Sequence, residues 1–203
     1  MKRSAIKSDH REKDFHTVYK SDNPTYYGVI CCDNCGYTVF EKDFKKITPY
    51  ETGVIKDRIT PSWGKKNFGG VRSVEDAIMV HKIALANYVM LKRPASVIGQ
   101  VYLRLTWYYR EVKNTDQEMA HMQKCVDTFI QAFETEYFEE RPEREIEMLY
   151  LLGELNRRLG SYNDAIKWFQ KTTQHPFIKQ RRLFENYARD QWALASEEYK
   201  KTT

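Results

Sequence analysis

Residues 146–176, IEMLYLLGELNRRLGSYNDAIKWFQKTTQHP, constrain this chain more than any other stretch. Apolar residues recur at helical spacing on both sides of Gly160-Ser161, which predicts two amphipathic helices joined by a tight turn. Gly153 in the first helix and Ala165 in the second remove bulk where the two backbones would meet. Leu152, Tyr162 and Phe169 supply volume beside that contact. Pro176 follows the second helix, where a residue without an amide hydrogen stops further winding.

Leu149, Leu152-Gly153, Gly160-Ser161-Tyr162, Ala165, Phe169 and Pro176 fill, in order, the positions of one tetratricopeptide repeat. Asn156 stands where that pattern prefers Tyr. A single repeat cannot bury its own apolar face, so helices should flank it. They are legible from residue 73 onward. Ser73 and Asp76 have capping-box spacing, and Ala77, Val80, Ala84, Leu85 and Tyr88 fall on one face behind them. Arg93-Pro94 ends that helix, since Pro disfavours α conformation in the residue before it. A second helix is expected from Ala95 to Val112. Thr115 and Glu118 predict another capping box, opening a third helix that carries Met122, Val126 and Phe129. Pro142 starts the fourth, the repeat fills the fourth and fifth, and residues 178–200 form the last, with Leu183, Tyr187, Trp192 and Ala195 inward. The expected fold class is therefore mainly α: a tetratricopeptide-like α-α superhelical array of about six helices in three hairpins.

The first third has another texture. Asp22-Asn23-Pro24 reads as a turn, Tyr26–Cys31 as a strand and Thr38-Val39-Phe40 as its return. Between them lies Cys32-Asp33-Asn34-Cys35-Gly36-Tyr37, a C-x-x-C-G-Y knuckle. Two thiolates so spaced can grip one Zn2+, and Gly36 permits the positive φ of such a turn. A complete zinc ribbon needs two knuckles, and this chain shows one. Candidate metal ligands are Cys32, Cys35 and His16; a redox pair and plain structural thiols are the alternatives. Residues 1–46 are thus expected to form a partial zinc-ribbon-like module and 47–72 a loop-rich connector, pinned to the helices by Trp63 and Phe68. Residues 73–203 form the helical domain.

Composition and charge narrow the function. Hydrophobic residues make up 41% and charged residues 30%, the balance of a soluble globular chain. No apolar run reaches the roughly 18 residues that span a bilayer. The basic start lacks the apolar stretch of a signal peptide, so a reducing cytoplasm is expected for Cys31, Cys32, Cys35 and Cys125. Residues 1–72 carry 14 Lys+Arg against 9 Asp+Glu, the whole excess of +5. A basic segment can attract nucleic acid, although no basic helix face or stacking motif accompanies it.

The C-x-x-C-G-Y knuckle, the stretch from Leu149 to Phe169, Ser96-Val97-Ile98 with residues 103–110 (LRLTWYYR), and Ala188-Arg189-Asp190-Gln191-Trp192 together resemble an uncharacterised bacterial family, domain of unknown function 2225. The resemblance covers nearly the whole chain. It implies a zinc-ribbon-like N-terminus followed by tetratricopeptide-like helices, with no established activity. Members usually open with an earlier C-P-x-C-G knuckle, and Arg11–His16 falls where they carry an Asp-Phe-Cys element. The chain therefore reads as starting at an internal Met or as having lost half its ribbon. Zinc could then be held by Cys32, Cys35 and His16, or by knuckles from two chains, making a homodimer possible.

Catalytic readings find little support. His121 and Cys125 share a helix turn without a third orienting group, so a core cysteine beside a flanking histidine is expected. The carboxylates between Glu134 and Glu147 read as solvated helix surface. No nucleophile–base pair or cofactor fingerprint is present, so the chain is not expected to be an enzyme. The function expected is a protein–protein interaction scaffold whose helical groove holds a peptide, with Arg104, Tyr108, Arg157 and Arg158 as groove or rim contacts. The alternative is a nucleic-acid-associated adaptor working through the basic knuckle module.

Overall fold

The computed structural model describes residues 6–202. The residues that promised a close helix–helix approach deliver it. Helix α5 (Pro142–Arg158) and helix α6 (Tyr162–Gln174) form a hairpin closed by Gly160 at φ 79°. A Cβ added to Gly153 would come within 2.5 Å of the Phe169 ring, so only glycine allows this approach. The same device recurs one hairpin earlier. Helix α3 (Ala95–Glu111) packs along α4 (Thr115–Thr135), and a Cβ on Gly99 would lie 2.4 Å from the Phe129 ring. Cys125 precedes Phe129 by four residues, as Ala165 precedes Phe169, and its Sγ reaches the Gly99 carbonyl oxygen at 3.3 Å. Gly99/Cys125/Phe129 thus repeats Gly153/Ala165/Phe169.

Helix α7 (Arg182–Thr202) packs on α6, following a 3-10 turn at Ile178–Gln180. Its inward residues include Phe184, Ala188, Gln191 and Ala195, while Leu183 points to solvent. Helix α2 (Val74–Met90) starts at the expected Ser73/Asp76 capping box and packs on α3. The cap of α4 sits one residue earlier than expected: Asn114, not Thr115, accepts the Gln117 amide. The helices therefore pair as α3–α4 and α5–α6, with α2 and α7 at the two ends. The even pairing of six into three hairpins does not hold.

The N-terminal third builds two separate two-stranded antiparallel sheets. Strands β3 (Val29–Cys31) and β4 (Thr38–Phe40) flank the knuckle, with Cys31 opposite Thr38. The strand expected from Tyr26 starts at Val29, because Asn23 caps Pro24–Tyr27 into a 3-10 turn. Val29 and Val39 are fully buried, and β4 lies on α2: the Tyr88 hydroxyl accepts the Phe40 amide, and Asn87 Oδ1 accepts that of Thr38. The knuckle module and α2 thus share one apolar core.

The connector is more helical than its turn residues suggested. Thr48 and Glu51 form a capping box for α1 (Pro49–Val54), and winding continues through a π-helical turn to Ile59 and a 3-10 turn to Ser62. Trp63 pins the connector to the knuckle rather than to the helices. Its indole N–H donates to the Asp33 carbonyl at 2.7 Å, and its ring covers Gly36, where a Cβ would stand 2.7 Å away. Phe68 is buried in the core shared with α2, as expected.

The other sheet pairs β1 (Ser8–Arg11) with β2 (Thr17–Tyr19). Its tip, residues 12–16, is tied by the Glu12 amide to the His16 carbonyl and by the Phe15 amide to Glu12 O. Phe15 takes φ 68°, a left-handed value unusual for an aromatic residue. The neighbouring helices show what compensates that conformation.

Candidate functional site

The tip of the β1–β2 hairpin is inserted among α3, α5 and α7. Phe15 lies 5.3 Å from the Tyr150 ring and 5.5 Å edge-on from Phe184, measured between ring centroids. The Tyr150 hydroxyl donates to Lys13 O at 2.9 Å, and the Lys13 ammonium sits 3.9 Å above the Tyr187 ring. The Asp14 side chain has no exposed surface; it meets Arg110 of α3 at 2.8 Å and Arg158 of α5 at 3.7 Å. Glu12 joins the same two arginines. Burial alone would raise the Asp14 pKa, but Arg158 and Arg110 outweigh it and hold the carboxyl below its ordinary value. One face shared by three helices therefore already grips a short acidic–aromatic segment of its own chain.

Toward the N-terminal ends of α3 and α5 that face opens into a groove of about 710 Å³. Val97, Gln100, Leu103, Arg104 and Trp107 line it from α3, and Arg144, Met148 and Leu151 from α5. Phe138 and Arg141, from the α4–α5 connection, close one end. Arg104 stacks over the Trp107 ring, 4.8 Å from its centroid. The Trp107 indole N–H is buried without an acceptor. Glu136, the half-buried carboxylate of the groove, accepts from the Ser96 amide and hydroxyl and so caps α3 from outside that helix.

The residues expected to bind partners separate into three environments. Arg104 lines the groove. Tyr108 is no groove contact: it is fully buried, with its hydroxyl donating to Thr25 O at 2.8 Å. Its alternating neighbours could not reveal this, because the N-terminal module covers a helix face that looked open. Arg157 and Arg158 both clamp the buried Glu154, and Arg158 also holds the hairpin tip. They are committed to internal ion pairs rather than to a rim. Arg110, which beside Tyr108 and Tyr109 could also be read as groove lining, instead pairs with Glu12 and Asp14 of the tip. The useful sequence signal was its place near the C-terminal end of α3, the counterpart of Arg158 near the end of α5.

The metal candidates are likewise separated. Gly36 adopts the expected positive φ of 77°, with its amide donating to Cys32 O at 2.9 Å and the Cys32 amide to Tyr37 O at 2.8 Å. Burial would raise the Cys32 thiol, but amides of Cys35 and Asn34 donate to its sulfur and bring it below its ordinary value. Burial pushes the Cys35 and Cys31 thiols up. His16 does not join the knuckle. It is buried beside a second cleft of about 500 Å³, with Nε2 2.9 Å from Glu111 Oε1 and its ring stacked on Trp107. The Tyr26 hydroxyl and the Asn23 amide also donate to Glu111. Among the described residues no group of three or more His, Cys, Asp or Glu is placed to hold a metal ion. Cys32 and Cys35 therefore stand without His16 or any other third ligand of these types among the described residues.

Cys125 is a core residue, as expected, and His121, expected on the flank, is buried with it. His121 Nδ1 bonds the Gln117 carbonyl, and burial raises the Cys125 thiol well above its ordinary value. Among the described residues no helix is long and apolar enough to cross a membrane. Comparison with curated proteins and with solved structures gives no match. A family pattern described as "Uncharacterized protein conserved in bacteria (DUF2225)" matches residues 1–195, and the chain belongs to that family.

Proposed function

We propose that this protein is a tetratricopeptide-like interaction scaffold that holds a peptide segment of a protein partner in the groove between α3 and α5. One observation carries the reading. The same helical face already accepts the hairpin tip of its own chain, residues 12–16, by ion pairs and aromatic packing. The open half continues that face with an apolar floor of Leu103, Trp107, Met148 and Leu151 below charged side chains. Two hairpins built on the same glycine–phenylalanine contact support the repeat character. The size of the groove suits several residues of an extended chain, and recognition of this kind needs few polar anchors above an apolar floor.

A photo-crosslinking residue at Arg144, on the groove wall, tests this. It should give a discrete protein adduct in cells that the same residue at Lys124, on the exposed side of α4, does not give. Gln100→Trp, which fills the groove from a solvent-exposed position, should abolish the adduct. Identical adducts from both positions, or an adduct indifferent to Gln100→Trp, would refute the groove reading.

A further inference from the structure

We propose that the open half of the groove selects a segment in which a carboxylate lies beside an aromatic or large apolar side chain; this rests on the groove reading and specifies its occupant. The first argument is the molecule's own precedent. At the filled end of the face, Glu12 and Asp14 meet Arg110 and Arg158 while Phe15 packs between Tyr150 and Phe184. Cations from α3 and α5 thus receive carboxylates, and an aromatic floor receives the ring between them.

The open end repeats these ingredients without the occupant's share. Arg104 of α3 and Arg144 of α5 make no ion pair among the described residues, and neither does Arg141 before α5. Arg104 is half-buried and its guanidinium rests on Trp107, a flat cation presented over an aromatic surface. Trp107, 6% exposed, adds a buried indole N–H with no acceptor. A partly exposed guanidinium without an ion-pair partner calls for an acceptor from outside, and a carboxylate is the strongest match for it. The groove also has carboxylates, but their positions differ. Glu136 is consumed by Ser96, and Glu41, Glu140 and Glu147 are exposed at the rim. Arg141 and Arg144 share that exposed rim, and Arg104 is the half-buried cation of the groove lining, where water screens less.

Fluorescence anisotropy on the full chain tests the inference with three labelled peptides. The first has the sequence of residues 11–18, REKDFHTV. The second replaces its Glu and Asp by Lys, and the third replaces its Phe by Ser. The first should bind, and each of the others should bind about tenfold or more weakly, as expected when a charged or aromatic anchor is lost. Arg104→Glu should weaken the first peptide by a similar factor, Lys124→Glu should leave it within about twofold, and both variants should retain the parent's circular dichroism and melting profile. Equal binding of all three peptides, or binding indifferent to Arg104→Glu, would overturn the inference. So would binding lost with Arg158→Met but kept with Arg104→Glu, since the peptide would then be replacing the internal hairpin. Absence of binding by any peptide also overturns it. The groove reading is decided separately by the Gln100→Trp cross-linking experiment.

Discussion

Removing Arg110 should cost more than removing the carboxylate it serves. In Arg110→Met, Asp14 keeps no exposed surface and retains Arg158, 3.7 Å away, as its single cationic neighbour. A buried charge stripped of its main partner costs about 3–5 kcal/mol. Asp14→Asn acts on the other side of the pair. Arg110 and Arg158 are 17% and 22% exposed and keep Glu12, Glu118 and Glu154, so they stay hydrated and compensated. Its cost should be about 1–3 kcal/mol, the range for lost hydrogen bonds to charged groups. In the double variant the stranded carboxylate is gone, so the total should fall short of the sum by about 1–3 kcal/mol. Urea denaturation followed by tryptophan fluorescence reads all four corners of the cycle. In a melt, Arg110→Met should lower Tm by about 6–20 °C, from about 2–4 °C per kcal/mol at this chain length. The Asp14 pKa is depressed, so the carboxylate's stabilisation is complete above its ordinary value of 3.8 and fades as pH falls through the lower, folded value. The gap between the parent and Asp14→Asn should therefore close in strong acid. Asp14→Asn costing as much as Arg110→Met, or additivity within about 0.5 kcal/mol, would refute the picture of an inserted, ion-paired tip.

Three further outcomes are expected. Gly99→Ala and Gly153→Ala should each destabilise by about 1–3 kcal/mol in chemical denaturation, overpacking against Phe129 and Phe169 exceeding the roughly 1 kcal/mol helix-propensity gain; stabilisation by either would mean the helices separate freely. Burial lowers the His81 pKa to about 3, so the unfolded chain takes up a proton below pH 6.5 that the folded chain refuses. Stability should fall by about 1.4 kcal/mol per pH unit in that window, and His81→Gln should flatten this limb of the pH profile. Alkylation of the native protein followed by mass spectrometry should mark Cys32 first and spare Cys125 until the protein unfolds; early labelling of Cys125 would contradict its place under Gly99.

Much of the helical part was legible because its signals are local. The Ser73/Asp76 box, the proline at position 142 and the Gly153–Phe169 relation each act within a few turns of chain. The second glycine–phenylalanine contact is not legible locally because Gly99 sits near the start of α3 and Phe129 in the later half of α4. Gly99 and Phe129 stand farther apart in sequence than Gly153 and Phe169, and Cys125 replaces the expected Ala. The helical winding of the connector was missed because its Thr, Pro and Gly residues also suit turns. Phe15 gave no warning of its left-handed backbone, which is held by Tyr150, Phe184 and the ion pairs around Asp14.

By itself the sequence determined the helical class, the hairpin at residues 146–176, the knuckle turn at Gly36 and the membership of the family. These depend on periodicity, capping and glycine placement, which are properties of neighbours along the chain. Tertiary structure alone decided which arginines are free. Arg104, Arg110, Arg157 and Arg158 look alike in sequence, yet three are consumed by Glu12, Asp14, Glu118 and Glu154 and one faces an open groove. It also decided that His16 serves Glu111 rather than the knuckle. Charge pairing is set by distances between segments far apart in the chain, and only packing supplies those distances.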